Sequence, residues 1–245
     1  MKLCSLSLLL CLAFHLAAAQ VSPRPLTAEQ VVNNLVQHNL QRAAALHAYR
    51  STRTYRIEYR GFPSSRSAEM VVDVKYRSPF TKEFAIRSES GSKLLVEKVL
   101  RRLLQSEQEA QNDENQTRIA LNNENYELKL LGNEPAPTGL LYILFAEPRA
   151  KNKYLFRGKV WVDARDFAVV RMEGAPAKNP SFWIKDTKIE QLYAKVGDFW
   201  LPLSNRSTSA IRLGGTANLT IDYRDYKIIS AAPLPLPNED TAGNR

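Results

Sequence analysis

Few side chains in this sequence are suited to chemistry. The chain of 245 residues has three histidines, and His15 lies in an apolar N-terminal run. The other two, His38 and His47, are nine residues apart in a segment that reads as helix. At about 100° per residue they point to opposite sides, so they cannot share a metal. No H-E-x-x-H, no G-x-S-x-G, and no phosphate- or dinucleotide-binding glycine loop is present. A glycosidase would need only two carboxylates. Asp163 and Asp166 sit in a tight turn, where aspartate is an expected turn residue. Glu173, Asp186 and Glu190 fall on strand-like segments among Lys and Arg and read as solvent-side charge pairs. These residues predict no catalysis, no cofactor and no metal.

Both cysteines, Cys4 and Cys11, lie near the N-terminus. Met1-Lys2 is a short positive start, Leu3–Leu16 is nearly all apolar, and Ala17–Ala19 are small. That order predicts a secretory signal peptide over residues 1–19, cut after Ala19. The apolar run is too short to span a bilayer. Leu8–Leu10 before Cys11 argue against a lipidated cysteine. The exported chain is then free of thiols, so a hydrophobic core and not crosslinks must hold it. Losing residues 1–19 removes only Lys2, taking the formal charge from +9 to +8. Export makes nucleic acid an unsuitable partner for that charge. Anionic lipid headgroups, acidic partners or a negative envelope fit better, as does a solvated basic surface with no partner.

The elements that must position any site follow from periodicity. Residues 20–26 form a lead-in linker. Thr27 and Gln30 make a capping box for a helix to about Ala48, with Val31, Leu35, Ala43 and Leu46 at helical spacing. The period then changes to two. Tyr55, Ile57 and Tyr59 alternate with charged residues, as do Met70, Val72, Val74 and Tyr76. Phe84 and Ile86 share a face. A second helix over about Ser92–Ala110 carries a broad apolar stripe opposite Lys93, Glu97, Lys98, Arg101 and Arg102. Strands resume at Tyr126. Pro135–Gly139 reads as a turn, and Leu140–Phe145, apolar on both faces, as a central strand. Long strands are expected over Phe182–Val196 and Phe199–Leu213. The expected fold is mainly β with two helices (α+β): about ten antiparallel strands in one domain over 27–231, with a Pro-rich, disordered tail at 232–245. Asn115, Asn205 and Asn218 match the glycosylation sequon, a short and common match.

Such a sheet and amphipathic helix have two arrangements. The helix closes a core as a second layer, or it lids a half-barrel whose apolar interior is only partly filled. The pieces G-x-x-W-V-D at Gly158–Asp163, V-V-R-M-E-G at Val169–Gly174 and G-x-F-W-L-P at Gly197–Pro202 are the most specific in the chain. With the signal segment and the two helices in this order, the sequence resembles the periplasmic, outer-membrane lipoprotein-sorting (LolA-like) family. That resemblance implies a half-barrel covered by an N-terminal helix and an inserted lid helix. It also implies periplasmic localisation and a non-catalytic monomer that binds lipid or acylated lipoprotein, with membrane-associated donor or receptor proteins as further partners. Related proteins of the RseB type instead sense envelope stress through a membrane-bound regulator. The cavity would be lined by Tyr55, Ile57, Tyr59, Met70, Val72, Val74, Phe84 and Ile86, and by Val96, Val99, Leu100 and Leu103 of the lid. The same side chains would serve equally as plain core. Arg50, Arg53, Arg56 and Arg60 all follow the first helix, and the resemblance does not single out one of them to close the lid. Trp161, Trp183 and Trp200 receive no role.

Overall fold

The computed structural model describes residues 26–79, 81–109, 120–137, 139–152, 154–179, 181–212 and 214–234. The expected signal segment, most of the lead-in and most of the Pro-rich tail lie outside them, as do residues 110–119 with the sequon at Asn115.

Helix α1 spans Ala28–Ala45. Its start is the expected capping box: the Gln30 N–H donates to Thr27 Oγ1 at 3.2 Å, and the Thr27 N–H to Gln30 Oε1 at 2.9 Å. Val31, Val32, Leu35 and Ala45 are buried, whereas Ala43 is exposed. The helix stops three residues before the expected end. Leu46 already pairs with Ala231 in the sheet, and the Ala232 N–H donates to the Ala45 carbonyl at 2.8 Å. Pairing with β10, though its register shifts between Leu46 and Tyr49, overrides the helical preference of Leu46 and Ala48.

The strands are β1 (Leu46–Arg60), β2 (Arg66–Arg77), β3 (Thr81–Gly91), β4 (Tyr126–Ala136), β5 (Gly139–Pro148), β6 (Phe156–Asp163) and β7 (Val169–Pro176). Three long ones follow: β8 (Ile184–Val196), β9 (Phe199–Ile211) and β10 (Thr216–Ala231). Between β3 and β4 runs the inserted helix, made of α2 (Lys93–Leu95), a π-helical turn (Val96–Leu100) and α3 (Arg101–Glu109). All ten strands form one antiparallel sheet in the order β3-β2-β1-β10-β9-β8-β7-β6-β5-β4. The fold is mainly β, a curved open sheet forming a half-barrel with its two helical segments on one face. Every neighbouring pair is a hairpin of consecutive strands except β1–β10, and the inserted helix connects the two free edges, β3 and β4.

Three expectations need correction. Pro135 and Ala136 do not form a turn: they continue β4 and pair with Leu140 and Gly139. Proline is tolerated there because β4 is an edge strand. Strand β5 is next to that edge and not central. Its inner residues Tyr142 and Leu144 pack under α1, while Leu141, Ile143 and Phe145 on the outer face are half-buried. Strand β8 begins at Ile184, leaving Phe182 and Trp183 outside the ladder and exposed.

Among the described residues the core has three parts, the smallest of which joins Ala45, Leu46 and Tyr49 to Phe199 and Leu201; the other two lie on the helix-bearing, inner face. Under α1, Val31, Val32 and Leu35 meet Tyr142, Leu144, Val160 and Val162. Under the inserted helix, Leu95, Val96, Leu100 and Leu104 meet Tyr55, Ile57, Met70, Val72 and Val74. Between these two, the inner face of β8 and β9 over residues 187–191 and 205–209 is largely polar. There Thr187 and Ser209 share a hydrogen bond of 2.9 Å, and the Asn205 amide donates to Gln191 at 2.8 Å.

Candidate functional site

The inserted helix and the strands beneath it bring eleven of the twelve expected lining residues to one place. Tyr55, Ile57, Met70, Val72, Val74, Val96 and Leu100 are buried in a single cluster, and Tyr59, Phe84, Val99 and Leu103 pack against it half-buried. Ile86 is in phase with them but 42% exposed, because β3 is the outermost strand and nothing described covers its far side. Sheet alternation places the floor residues, since inner positions recur every second residue. Helical spacing of Val96, Leu100 and Leu104 places the lid's underside.

One charged group lies in this apolar floor. Arg53 occupies the inner phase of β1 with Tyr55, Ile57 and Tyr59, and is 3% exposed. Its Nη1 donates to Glu107 Oε1 at 2.5 Å, which ties the C-terminal end of the inserted helix to the middle of β1, the third strand from the β3 edge. Lys82 Nζ lies 3.4 Å from the same carboxylate, and the Tyr55 hydroxyl donates to Glu107 Oε2 at 3.4 Å. The Arg53 guanidinium also lies over the rings of Tyr223 at 4.9 Å and Phe84 at 5.6 Å. Burial alone would raise the Glu107 pKa, but the charges of Arg53 and Lys82 outweigh it and hold the carboxyl below the ordinary carboxylate range. Burial pushes the Tyr55 hydroxyl up to about 12, with Glu107 adding to it. The pair is therefore ionised at neutral pH. Arg53 Nε is buried without a partner, so the latch is not fully satisfied on the arginine side.

The latch was recoverable from strand phase. Arg56 and Arg60 fall on the outer phase of β1 with Thr54 and Glu58. Arg53 alone among the four candidate arginines is buried. Arg56 pairs outward with Glu69 at 2.7 Å and Asp222 at 2.5 Å. Glu107 was likewise marked by spacing, lying three residues beyond Leu104 and seven beyond Leu100 on the apolar stripe.

A second feature was not expected. Under α1 an open cavity of about 340 Å³ lies against the inner face of β7–β9. Tyr126, Tyr154, Phe156, Met172, Tyr193 and Trp200 form its apolar wall, with Asn39 and Arg42 on the helix side. Arg42 is fixed by the carbonyls of Asp166 (2.7 Å) and Phe167 (2.8 Å) and by Asn39 Oδ1 (2.7 Å). Trp200 Nε1 and Lys195 Nζ both donate to Asp166 Oδ2, at 2.7 and 2.6 Å. Asp163 Oδ1 accepts the backbone N–H groups of Arg165 and Asp166, the turn role expected of it. Burial would raise Asp166, but Lys195 and Trp200 hold it below the usual aspartate range. Asp166 is thus held as a carboxylate and does not resemble a proton donor in waiting. Among the described residues, no group of three or more His, Cys, Asp or Glu side chains could hold a metal ion. His38 lies against Phe167 at 5.5 Å, and burial, then Arg42, lowers its pKa.

The tryptophans divide by face. Trp161 is buried on the outer face beneath the Arg171 guanidinium at 4.7 Å, Trp200 walls the cavity, and Trp183 is 54% exposed.

No family model matches the chain, and no curated protein matches it. Solved structures resemble it distantly but broadly. A DUF1329 family protein from Desulfovibrio piger has a TM-score of 0.42 at 11% identity, covering 88% of this chain and 99% of that one. A putative outer membrane lipoprotein-sorting protein domain from Vibrio parahaemolyticus has a TM-score of 0.40 at 9% identity, covering 84% and 95%. A LolA superfamily protein from Nitrosomonas europaea has a TM-score of 0.37 at 12% identity, covering 86% and 96%.

Proposed function

We propose that this chain is an exported, non-enzymatic protein that holds the acyl chains of a lipid or lipoprotein between its inserted helix and the inner face of β1, β2 and β10. The observation that carries this reading is the Arg53–Glu107 latch, a single buried ion pair holding an amphipathic helix on an apolar floor. A helix that served only as a second core layer would gain nothing from a buried charge, since an apolar pair of similar volume holds such a contact as well or better.

The magnitudes fit an exchange. The lid buries Leu95, Val96, Leu100 and Leu104. Exposing four such side chains costs about 6–12 kcal/mol. An acyl chain of about fourteen methylenes gains about 11 kcal/mol on burial. Ligand and lid are then nearly balanced, and a latch of a few kcal/mol sets which one occupies the floor. Tyr59, Val99 and Leu103, half-buried at the margin, would meet the chain first. The basic, exported character of the sequence suits a periplasmic setting in which donor and receptor are membrane-bound.

Native mass spectrometry with a triacylated lipopeptide tests the reading. A one-to-one adduct, weakened by Val99→Glu, is the expected result. Absence of any adduct, with the lid exchanging its amides no faster than the sheet, would make the helix a fixed layer and end the proposal.

A further inference from the structure

Four of the ten exposed large apolar side chains among the described residues gather at one end of the sheet, while the others, such as Leu40, Leu131 and Ile229, lie singly elsewhere. Phe62 (83% exposed), Phe182 (74%), Leu94 and Trp183 (both 54%) are among the most exposed large apolar groups described. All four belong to segments at one rim of the half-barrel: the β1–β2 turn, the start of the inserted helix and the β7–β8 connection. The β9–β10 turn lies on the same rim, which continues beyond these four segments through the β5–β6 connection to the start of β4. It follows from the sheet order, in which these strand ends are neighbours.

Hydrogen bonds join the segments into one edge. The Tyr59 hydroxyl reaches the carbonyls of both Phe62 (2.9 Å) and Gly214 (3.1 Å), linking the β1–β2 and β9–β10 turns. Arg212 donates its backbone N–H to the Trp183 carbonyl (2.9 Å) and its Nε to the Phe182 carbonyl (2.6 Å), and its guanidinium lies over the Phe182 ring. The Ser92 N–H donates to the Ser67 carbonyl at 2.8 Å, anchoring the first turn of the inserted helix to β2.

The charge of this edge has one sign. Residues 60–66, 92–94, 177–185 and 212–215 contain Arg60, Arg66, Lys93, Lys178, Lys185 and Arg212 and no carboxylate. All six basic side chains are exposed. Among the described residues, Arg60 alone of the six has an ion pair within 4 Å, with Glu58 at 3.2 Å, two residues earlier on β1. The turns of the opposite rim differ, for they hold Asp163, Asp166 and Asp198. Aromatic side chains interleaved with Lys and Arg have the composition of the membrane–water interface, where the rings enter the headgroup region and the cations meet anionic lipids.

We propose that this rim docks on an anionic lipid bilayer, inserting Phe62, Leu94, Phe182 and Trp183 while the six basic residues contact lipid phosphates. The docking needs no acyl chain in the barrel, so it stands apart from the function proposed above. The two meet at Leu94, on the first turn of the lid: the segment that touches the bilayer is continuous with the one that Arg53 and Glu107 latch.

Vesicle co-sedimentation of the purified exported chain tests this. Vesicles of phosphatidylglycerol with phosphatidylethanolamine should retain the protein, and phosphatidylcholine vesicles should not. Retention should fall with added salt, and on the order of fivefold for each basic residue removed, as in Arg66→Gln and Lys185→Gln. Phe182→Ser with Trp183→Ser should lower it on the order of tenfold or more. Tryptophan emission should shift to the blue on binding, and Trp183→Phe should abolish the shift. Both side chains lie outside the ladder, so an unchanged urea midpoint will show that these variants fold. Equal retention by both vesicle types would overturn the proposal, as would full retention by the Phe182/Trp183 variant. Loss of retention on Arg165→Gln at the opposite rim would do the same. Binding to a soluble polyanion but not to vesicles would show the charge to be real and the lipid partner wrong.

Discussion

Replacing Glu107 by Gln removes the negative charge of the latch and little volume. Arg53 stays 3% exposed, with its other polar contact, the Tyr55 hydroxyl, at 3.4 Å. Stranding one member of a buried pair costs about 3–5 kcal/mol. Glu107 is 27% exposed and glutamine can still accept a hydrogen bond, so about 2–3 kcal/mol is the appropriate range here. That is about 30- to 160-fold in the ratio of open to closed lid. Amide hydrogen exchange resolved by segment reads it directly. Residues 93–109 should exchange faster by about that factor, while β1, β2 and β10 keep most of their protection. Lipopeptide affinity should rise, because less of the binding energy is spent on opening the lid. Replacing both partners by leucine should restore protection to the lid, since an apolar pair needs no compensation. Unchanged exchange in 93–109 would refute the latch. Equal acceleration through the β1–β2–β10 strands would refute the lid, because the helix would then be part of one cooperative core.

Acid should act like the Glu107 substitution. The Glu107 pKa is depressed in the folded state, so its contribution is complete above the ordinary value of 4.5 and is lost as pH falls below that through the lower folded value. Lid exchange corrected for its intrinsic pH dependence should rise in that window in the parent and stay flat in Glu107→Gln. Gly174→Ala should destabilise the whole sheet by about 1–3 kcal/mol in urea titration. A Cβ there would run into the Arg157 carbonyl and the Phe156 ring. A substitution that left the midpoint unchanged would mean that β6 and β7 can part without cost. Thr27→Ala should cost about 1 kcal/mol by removing the capping box, visible as faster exchange in the first turn of α1.

The β-rich architecture was readable because alternation is strict where one face is buried. Tyr55, Ile57, Met70, Val72 and Val74 announce their side of the sheet by period alone, and Thr27 and Gln30 announce a helix start. Pairing was less accessible. Leu140–Phe145 looked central because both its faces are apolar, but its outer face lies near Trp161 of β6 and is covered in part by Arg157, whose guanidinium lies over Phe145. Local pattern reports burial, not position in the strand order. The aromatic cavity under α1 escaped for a related reason. Its walls come from β4, β6, β7, β8 and β9 and from Tyr154 before β6, which the chain brings together only through long-range pairing. The exposed rim escaped because Phe182 and Trp183 fit a strand pattern by type, and only the ladder reveals that β8 starts after them.

The single pairing between sequence-distant strands, β1 with β10, has a consequence for the length of the chain between them. Zipping Leu46–Arg60 to Thr216–Ala231 closes a loop of well over a hundred residues, at a logarithmic entropy cost of about 4–5 kcal/mol. A logarithm is insensitive to its argument: a further doubling of the enclosed length would add only about 0.6 kcal/mol. The segment that carries the inserted helix lies inside this loop and joins two strands that are not each other's neighbours. No hairpin geometry fixes how long it must be. Its length is thus nearly a free variable for the sheet, and residues outside the buried stripe of the inserted helix can be added or removed while the ladder stays as it is.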